Sequence, residues 1–330
     1  MKRILFVFSR ESSFIAIDRA VLEERWRVTP WQQRGPVVNL VRLLREVRRS
    51  DLVFGWFASW HTFFPVLIAR LLRKPVVIVI GGFDTARMPD IGYGLQQRGA
   101  MRHVSRWVMH HATRLITNSN YSRAEAAETA GLDPSRVTVV YHGVPDPFGD
   151  LPAVEREPVA LTVGIVDRAN LERKGLKSFV DAAAYLPDVS FVLAGRWDDA
   201  SADALRDHAT PNVTLTGWVE QDVLNDHMRR ASVYVEASAH EGFGMSVAEA
   251  MLAGCIPVTT RAGALPEVVG DAGVLVDDAD PKRVADGVSQ ALAMDSGARL
   301  RARRRVLDNF SLDVRRRGLH EVVGEALGES

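Results

Sequence analysis

The chain has few of the residues that mark secreted, membrane-spanning or zinc-binding proteins. Cys255 is the single cysteine among 330 residues, which excludes a disulfide framework and a cysteine-based zinc site and fits a reducing compartment. The uncharged stretch Leu52–Ala69 contains His61 and Pro65, so we interpret it as a strand, a loop and a helix and not as a membrane span. Only Ile4–Phe8 form an apolar run near the start, so no signal peptide is visible and we expect a cytoplasmic protein.

Sequence motifs of several nucleotide-binding classes are also absent. No Gly-x-Gly-x-x-Gly follows the apolar run that opens either half of the chain, where the residues are Ser9–Ser12 and Gly164–Asp167. A dinucleotide-dependent oxidoreductase needs that loop so that the backbone can approach a pyrophosphate, and this class is therefore disfavoured. Walker loops and transcription-factor motifs are missing as well, and we expect no nucleic acid partner.

Basic and acidic residues balance at 41 each, but they are unevenly distributed. Basic residues are in excess in the first half of the chain and acidic residues in the second. The predicted helix Val37–Arg49 carries Arg42, Arg45, Arg48 and Arg49 on the face opposite its apolar residues. Two interpretations fit: a solvated face with attraction between oppositely charged lobes, or contact with an anionic partner such as a phosphorylated acceptor or the inner face of a membrane.

Short apolar runs alternate with helical patterns along the whole chain. This alternation, over a length that suits two domains, predicts an α/β protein of two doubly wound Rossmann-like domains that face each other across a cleft. Functional side chains are then expected in the loops at the carboxyl ends of the parallel strands. The predicted strands are Ile4–Phe8, Leu52–Phe57, Val76–Ile80, Leu115–Thr117, Val137–Tyr141, Ala160–Val163, Ser190–Leu193, Val213–Thr216, Val233–Glu236, Ile256–Thr260 and Gly273–Val276.

A linker separates the two series of strands. Val144–Pro158 contains four prolines, several acidic residues and no hydrophobic period, which favours a linker. We therefore expect an N-terminal domain over residues 1–150 and a C-terminal domain over residues 151–311. The helical pattern Leu312–Leu327 is expected to cross back to the first domain, which would then include residues 312–330.

Ser238–Thr260 holds the densest set of candidate site residues. Glu241 and Glu249 flank a Gly-Phe-Gly loop that leads into a helix predicted at Ser246–Ala253, so backbone amides and two carboxylates are expected side by side. Such an arrangement can hold a phosphate with amides and a sugar or ribose diol with carboxylates. A structural interpretation of Glu249 stays open, because Ser246 and Glu249 have the spacing of a capping box.

A basic loop is expected at the carboxyl end of the strand Ala160–Val163. Arg168 and Lys174 lie between that strand and a helix predicted from Gly175. Two cations there could bind a diphosphate opposite the amides of the Gly-Phe-Gly loop. An exposed basic loop without a ligand is the alternative.

These residues resemble a known family. Glu241 and Glu249, separated by seven residues in Glu-Gly-Phe-Gly-Met-Ser-Val-Ala-Glu, are similar to the E-x7-E signature of the retaining GT-B glycosyltransferases, in particular family 4 (glycosyl transferases group 1). The resemblance covers nearly all of residues 158–275. Its other landmarks are Val163-Gly164, Arg168 with Lys174-Gly175, Val192–Gly195, Thr216–Val219 and Ala264–Val269.

The resemblance implies a GT-B fold, a nucleotide-sugar donor bound by the C-terminal domain, an acceptor on the side of the N-terminal domain, and no metal or other cofactor. Arg168 and Lys174 would stabilise the departing diphosphate, and Glu241 would hold hydroxyls of the donor sugar. Glu249 would bind the ribose diol, and the backbone near Val219 would meet the base. The backbone groups that would approach the sugar and phosphate belong to Gly242, Phe243, Gly244, Met245 and Ser246.

The N-terminal half departs from the family pattern in one loop. Many relatives carry a histidine after the strand corresponding to Val76–Ile80, whereas this loop resembles a subset with Gly-Gly-aromatic-Asp. Asp84 is therefore a candidate catalytic residue that takes over the sugar contact, and Gly82 is a candidate donor-binding position that opens the pocket. The histidines weighed beside them are His61, an acceptor-site candidate, and His110 and His111, interpreted as structural.

The expected activity is transfer of a sugar from a nucleotide-diphosphate sugar to an acceptor with retention of anomeric configuration. Uridine is favoured only because it is the commonest donor base, and the acceptor, whether a saccharide, a lipid-linked molecule or a small molecule, is not specified. Two alternatives stay open: a GT-B sugar-nucleotide epimerase, and a catalytically inactive nucleotide-sugar-binding protein. A phosphorylase is disfavoured because none of the few lysines has a context that suits pyridoxal phosphate.

Overall fold

The chain folds into two compact units, seen in a computed structural model that describes residues 1–97, 99–150 and 156–329. The first unit comprises Met1–Gly143 together with the chain from Leu312 onward, and the second comprises the described part of Val144–Ser311. The division precedes the expected boundary at residue 150, because the Val144 amide donates a 2.8 Å hydrogen bond to the Phe310 carbonyl of the second unit. Residues 151–155 of the predicted linker lie outside the described residues.

Strands and helices alternate in both units. The strands are β1 (Arg3–Phe8), β2 (Arg27–Gln32), β3 (Leu52–Trp56), β4 (Val76–Ile80), β5 (Arg114–Thr117), β6 (Val137–Val139), β7 (Glu157–Val163), β8 (Ser190–Ala194), β9 (Val213–Gly217), β10 (Ala231–Glu236), β11 (Ile256–Thr260) and β12 (Val274–Val276). The helices are α1 (Ser13–Glu23), α2 (Leu40–Arg49), α3 (Trp60–Leu71), α4 (Ala100–His111), α5 (Asn120–Ala130), α6 (Arg168–Arg173), α7 (Leu176–Ala182), α8 (Ser201–His208), α9 (Gln221–Arg230), α10 (Met245–Leu252), α11 (Leu265–Val269), α12 (Pro281–Leu292), α13 (Ser296–Phe310) and α14 (Leu312–Leu327).

The first unit is built on a parallel sheet of order β2-β1-β3-β4-β5-β6. Apolar clusters lie on both faces of this sheet, which is why its central strands are apolar at successive positions. Strand β2 was not predicted, because Pro30 within it lacks a backbone donor and argues against a central strand. The structure places β2 at the edge of the sheet, where proline is tolerated.

The second unit has a parallel sheet of order β12-β11-β10-β7-β8-β9. Strand β7 pairs with β8 on one side and with β10 on the other, so the order reverses between β7 and β10. In doubly wound sheets, ligands bind at the carboxyl ends of strands beside such a reversal. The loops that follow β7 and β10 are therefore the positions at which a ligand site is expected in this unit.

The last helix, α14, packs against the first unit. Leu319, Val322 and Val323 join the apolar cluster that contains Ile4 and Phe6. This packing follows from the apolar face that the helical pattern at Leu312–Leu327 presents. None of the helices that the structure describes is long and apolar enough to span a bilayer.

Arg315 of α14 is a fully buried cation in the first unit. Its guanidinium group donates to both carboxylate oxygens of Asp18 in α1, at 2.9 and 2.6 Å. It also donates to the carbonyls of Val140 and Tyr141 and to Asn118. These bonds tie the last helix to the first helix and to the carboxyl end of the sheet.

Candidate active site

The segment after β7 is partly helical, where we expected a basic loop. It forms the short helix α6, because the Asp167 side chain accepts a 2.7 Å hydrogen bond from the Asn170 amide and caps its first turn. Arg168 begins this helix with an exposed side chain, and Lys174 follows its last residue. The two predicted phosphate ligands thus lie at opposite ends of one short helix, about 9 Å apart along its axis.

Gly175 explains how Lys174 comes to lie beside the loop after β10. Its backbone is left-handed, with φ of 63°, and a Cβ atom there would lie 2.1 Å from the carbonyl oxygen of Ala237. The Ala239 amide also donates to the Arg173 carbonyl at 2.8 Å. Glycine is required at this position because the two loops approach more closely than any side chain allows.

Lys174 lies between two carboxylates. Its Nζ is 2.9 Å from Glu241 Oε2 and 3.3 Å from Glu236 Oε1. Burial alone would lower the pKa of Lys174, but the charges of Glu236 and Glu241 outweigh it and hold that pKa above its ordinary value. Lys174 is therefore a fixed positive charge at the reversal point of the sheet.

Glu236 is a site residue that sequence reasoning missed. It ends β10, its side chain is only 1% exposed, and it accepts hydrogen bonds from Ser238 Oγ and, at 3.2 Å, from Ser246 Oγ. The available signal was a charged residue at the end of the apolar strand Val233–Glu236, at a position where parallel strands place functional groups.

The loop that carries Glu241 is clamped by the turn after β11. The Ala264 amide donates to the Glu241 carbonyl at 2.8 Å, and a Cβ atom on Gly263 would lie 2.1 Å from that oxygen. Burial would raise the pKa of Glu241, but the charge and hydrogen bond of Lys174 lower it below its ordinary value. Glu241 is thus held as a carboxylate.

Helix α10 begins one residue earlier than predicted and without a capping box. Gly244, with a left-handed φ of 100°, is its N-cap, and no side chain caps it. Ser246 is the second residue of the helix, and its hydroxyl donates to Glu236 instead of serving as a cap. The interpretation of Ser246 and Glu249 as a capping box is therefore wrong. The first-turn amides of Met245 and Ser246 point out of the helix, as every helix start requires.

The other predicted donor-binding residues lie in the same loop and in α10. Phe243 is buried and packs edge-on against Phe310, with ring centroids 5.3 Å apart. Glu249 is the fifth residue of α10. Burial raises the pKa of Glu249 to about 7.

Val219 follows β9 at the outer side of the same sheet edge. Its neighbour Trp218 is exposed, and Gly217, with φ of 72°, ends the strand. The ends of β7 and β8 approach closely, since a Cβ atom on Gly195 would lie 1.9 Å from the Gly164 carbonyl oxygen. This close approach explains why glycine occupies position 195, beside Gly164.

Asp84 in the first unit is buried and bonds to the backbone. It is 1% exposed, and its carboxylate accepts the amide hydrogens of Ala58 at 2.9 Å and Gly81 at 2.7 Å. Burial raises its pKa to about 7. Both oxygens are used to join two loops, so the geometry does not favour the predicted sugar contact.

Gly82 beside Asp84 has a φ of 64° and open space where a side chain would be, with Tyr93 Oη 3.9 Å away.

The three histidines considered earlier also bond to backbone. His61 Nε2 lies 2.8 Å from the Trp56 carbonyl oxygen, and His111 Nδ1 lies 2.8 Å from that of Trp107. His110 Nε2 lies 3.2 Å from the Ala130 carbonyl oxygen. Among the described residues, no three His, Cys, Asp or Glu side chains come together as a metal centre would need.

Two family models match the chain, one over each unit. Residues 157–294 match the model described as "Glycosyl transferases group 1". Residues 7–146 match the model described as "Glycosyltransferase Family 4". The chain belongs to the family 4 glycosyltransferases. Glu241, Glu249, Arg168 and Lys174 all lie within the group 1 match, so the resemblance read from these residues is confirmed at the level of the family.

Curated glycosyltransferases are similar over most of the chain. The D-inositol 3-phosphate glycosyltransferase of Mycolicibacterium gilvum is 28% identical over 260 residues, which cover 73% of this chain and 56% of that enzyme. The alpha-maltose-1-phosphate synthase of Mycolicibacterium smegmatis is 28% identical over 294 residues, with 77% and 74% covered. The chain thus spans little more than half the length of the first of these enzymes.

Solved structures share the fold. The Anabaena protein HepE in complex with UDP has a TM-score of 0.78 at 16% identity, with 98% of this chain and 100% of that chain covered. Sucrose-phosphate synthase of Thermosynechococcus elongatus has a TM-score of 0.78 at 17% identity, with both chains fully covered. The family 4 chain therefore has the predicted α/β GT-B fold.

Proposed function

We propose that this family 4 protein transfers a sugar from a nucleotide-diphosphate sugar to an acceptor with retention of anomeric configuration. The observation that supports it is the meeting of Lys174 and Glu241, 2.9 Å apart, beside the uncapped start of α10. A cation and helix amides suit a diphosphate, and a carboxylate suits sugar hydroxyls. All three lie at the sheet reversal, where ligands bind in this class of fold.

The roles of the individual groups follow from this placement. Lys174, Arg168 and the first-turn amides of α10 would take the diphosphate and stabilise the charge that develops as it departs. Glu241 would hold hydroxyls of the donor sugar, and Glu249 the ribose diol. The acceptor would attack from the face that the diphosphate leaves, and a phosphate oxygen would take the acceptor proton. No protein nucleophile is needed in this scheme, and we do not count Asp84 among the groups that touch the sugar.

We propose that the reaction requires no divalent ion. Arg168 and Lys174 would supply the positive charge that a metal supplies in other nucleotide-sugar enzymes. For the base we propose uridine, with support from the Anabaena HepE structures, which are complexes with UDP and with UDP-glucose. The backbone near Val219 would contact that base.

A ligand screen tests this function directly. UDP, GDP, ADP and their sugars are added singly to the protein, and the melting temperature is measured with and without EDTA. We expect UDP and one UDP-sugar to raise the melting temperature, because a ligand that binds only the folded state stabilises it by mass action. The shift should survive EDTA. A protein whose melting temperature responds to none of these ligands would contradict the proposed donor site.

We propose in addition that helix α2 contacts an anionic membrane. Leu43 and Val47 of α2 are buried, whereas Leu40, Val41 and Leu44 of the same helix are 48%, 81% and 40% exposed. The exposed apolar residues follow a helical spacing that continues to Arg48, and the exposed Arg42, Arg45 and Arg49 flank them. Exposed apolar side chains among arginines are the pattern of a helix that lies at the surface of an anionic bilayer.

A further inference from the structure

Lys174 cannot keep all of its present contacts if the proposed donor binds. Its ammonium group is paired with Glu241, yet the donor site needs Lys174 for phosphate and Glu241 for sugar hydroxyls. An ammonium group has three N–H donors, so it can exchange one partner while it keeps another. The partner that stays must be fixed in place.

Glu236 has the properties of that fixed partner. Its backbone is part of β10 and pairs with Thr259 of β11. Its two carboxylate oxygens accept from Ser238 and Ser246, and it is almost fully buried. Glu241, by contrast, lies in a loop with an 18% exposed side chain. We therefore expect the side chain of Glu241, and not that of Glu236, to change its direction when a donor enters.

We propose that Glu236 is a positioning residue that keeps the Lys174 ammonium group charged and in place while Glu241 turns to the donor sugar. The functional half of this inference rests on the proposed donor site. Its electrostatic half stands on the geometry alone: one buried ammonium group lies between two carboxylates, at 2.9 and 3.3 Å. Removal of one carboxylate leaves the other to offset the cost of burying the amine.

Amine labelling tests the electrostatic half without any donor. Acetic anhydride is applied over a range from about pH 7 to 11, and mass spectrometry compares Lys174 with the exposed Lys177 in the same sample. In Glu236→Gln we expect Lys174 to react about tenfold faster relative to Lys177 near pH 9, since a tenfold change corresponds to one pKa unit. Glu172→Gln, which removes an exposed carboxylate from α6, is the matched control and should leave the ratio unchanged.

Ser238→Ala provides a milder variant if Glu236→Gln melts too early. It keeps both charges but removes a hydrogen bond that holds Glu236, and we expect the labelling ratio to rise about twofold to threefold. Labelling ratios equal to wild type in both variants would overturn the proposal.

UDP binding tests the functional half. Calorimetry at about pH 7.5 and about pH 10 should show that Glu236→Gln loses more affinity on going to the higher pH than wild type does, because its Lys174 deprotonates in a lower pH range than that of wild type. The comparison with wild type cancels the titration of UDP itself. A purely structural role for Glu236 would weaken binding by one factor at both pH values. If wild type binds no nucleotide, the proposed function fails, and the labelling result still decides the role of Glu236.

Discussion

The Lys174 ammonium group lies 2.9 Å from Glu241 Oε2 in the second unit of the chain. Each of these groups sets the protonation state of the other: the cation keeps Glu241 ionised, and Glu241 with Glu236 keeps Lys174 charged. A change to either residue therefore alters the protonation of the other, and both side chains are proposed to bind the donor.

Lys174→Ala and Glu241→Ala should each reduce sugar transfer by a factor of about 100 or more, as the loss of a charge-stabilising group does in other enzymes. Lys174→Ala should also abolish measurable UDP binding, because it leaves two carboxylates beside the phosphate site. UDP affinity is measured by calorimetry, and turnover by product formation from the donor sugar.

Lys177→Ala is the matched control for these variants. Lys177 pairs with Asp181 on the exposed side of α7, so its loss should change neither affinity nor turnover. Turnover near that of wild type in folded Lys174→Ala or Glu241→Ala protein would remove the site assignment.

Glu249→Gln should be more stable than wild type at about pH 8 and equally stable near pH 4. Burial raises the pKa of Glu249 in the folded protein to about 7, well above its ordinary value. The folded state therefore holds a proton that the unfolded state releases, and wild type loses stability as the pH rises toward 7. Glutamine has no proton to lose, and the difference should be on the order of 1–3 kcal/mol.

Chemical denaturation at several pH values measures this effect. A stability difference that is the same at pH 4 and pH 8 would contradict the raised pKa of Glu249 in the folded protein. Glu220→Gln, which changes an exposed carboxylate before α9, should show no pH-dependent difference from wild type.

Arg315→Met should lower the free energy of unfolding of the first unit by about 3–5 kcal/mol, because it leaves the buried Asp18 carboxylate without its counterion. The double variant Arg315→Met with Asp18→Leu should regain much of that loss, since no buried charge then remains. Denaturant titration of the full chain measures both. Equal destabilisation by the single and double variants would show that the charge pair is not the cause.

Helix α2 should bring the protein to anionic vesicles. We expect sedimentation with phosphatidylglycerol vesicles at low salt, none with phosphatidylcholine vesicles, and release at high salt as charges are screened. Val41→Ser with Leu44→Ser should weaken binding at low salt, and so should the change of Arg45, Arg48 and Arg49 to serine.

Helix α13 offers a control of matched composition. Arg301→Ser with Arg304→Ser removes basic side chains beside the exposed Leu300 in the other unit, and binding should persist. Failure of wild type to sediment with anionic vesicles at low salt would end the membrane proposal.

Much of this fold was available from local pattern. The alternation of apolar runs with helices gives a doubly wound sheet because parallel strands need crossover helices. The predicted last helix, Leu312–Leu327, coincides with α14. Strand β2 escaped prediction because Pro30 masks its pattern, and only its place at the sheet edge makes that proline acceptable.

The site was partly readable for the same reason. Gly175 was one of the landmarks in the sequence, and its close approach to the Ala237 carbonyl tolerates no side chain. The role of Gly263 beside Glu241 is visible only in the structure. The residue types near the reversal of the sheet thus report local geometry. They do not report which side chain each one meets.

Only the tertiary structure decided those pairings. Lys174 follows β7 and Glu236 ends β10, and they meet because the strand order places β7 beside β10 across a long sequence separation. Asp84 is turned inward by the amides of Ala58 and Gly81, and Ser246 bonds to Glu236 and not to the start of its own helix. The sequence by itself determined the family, the strands other than β2 and the residue types of the site, because these depend on neighbours along the chain. The protonation states and partners of those residues depend on burial and on charges brought together by the fold.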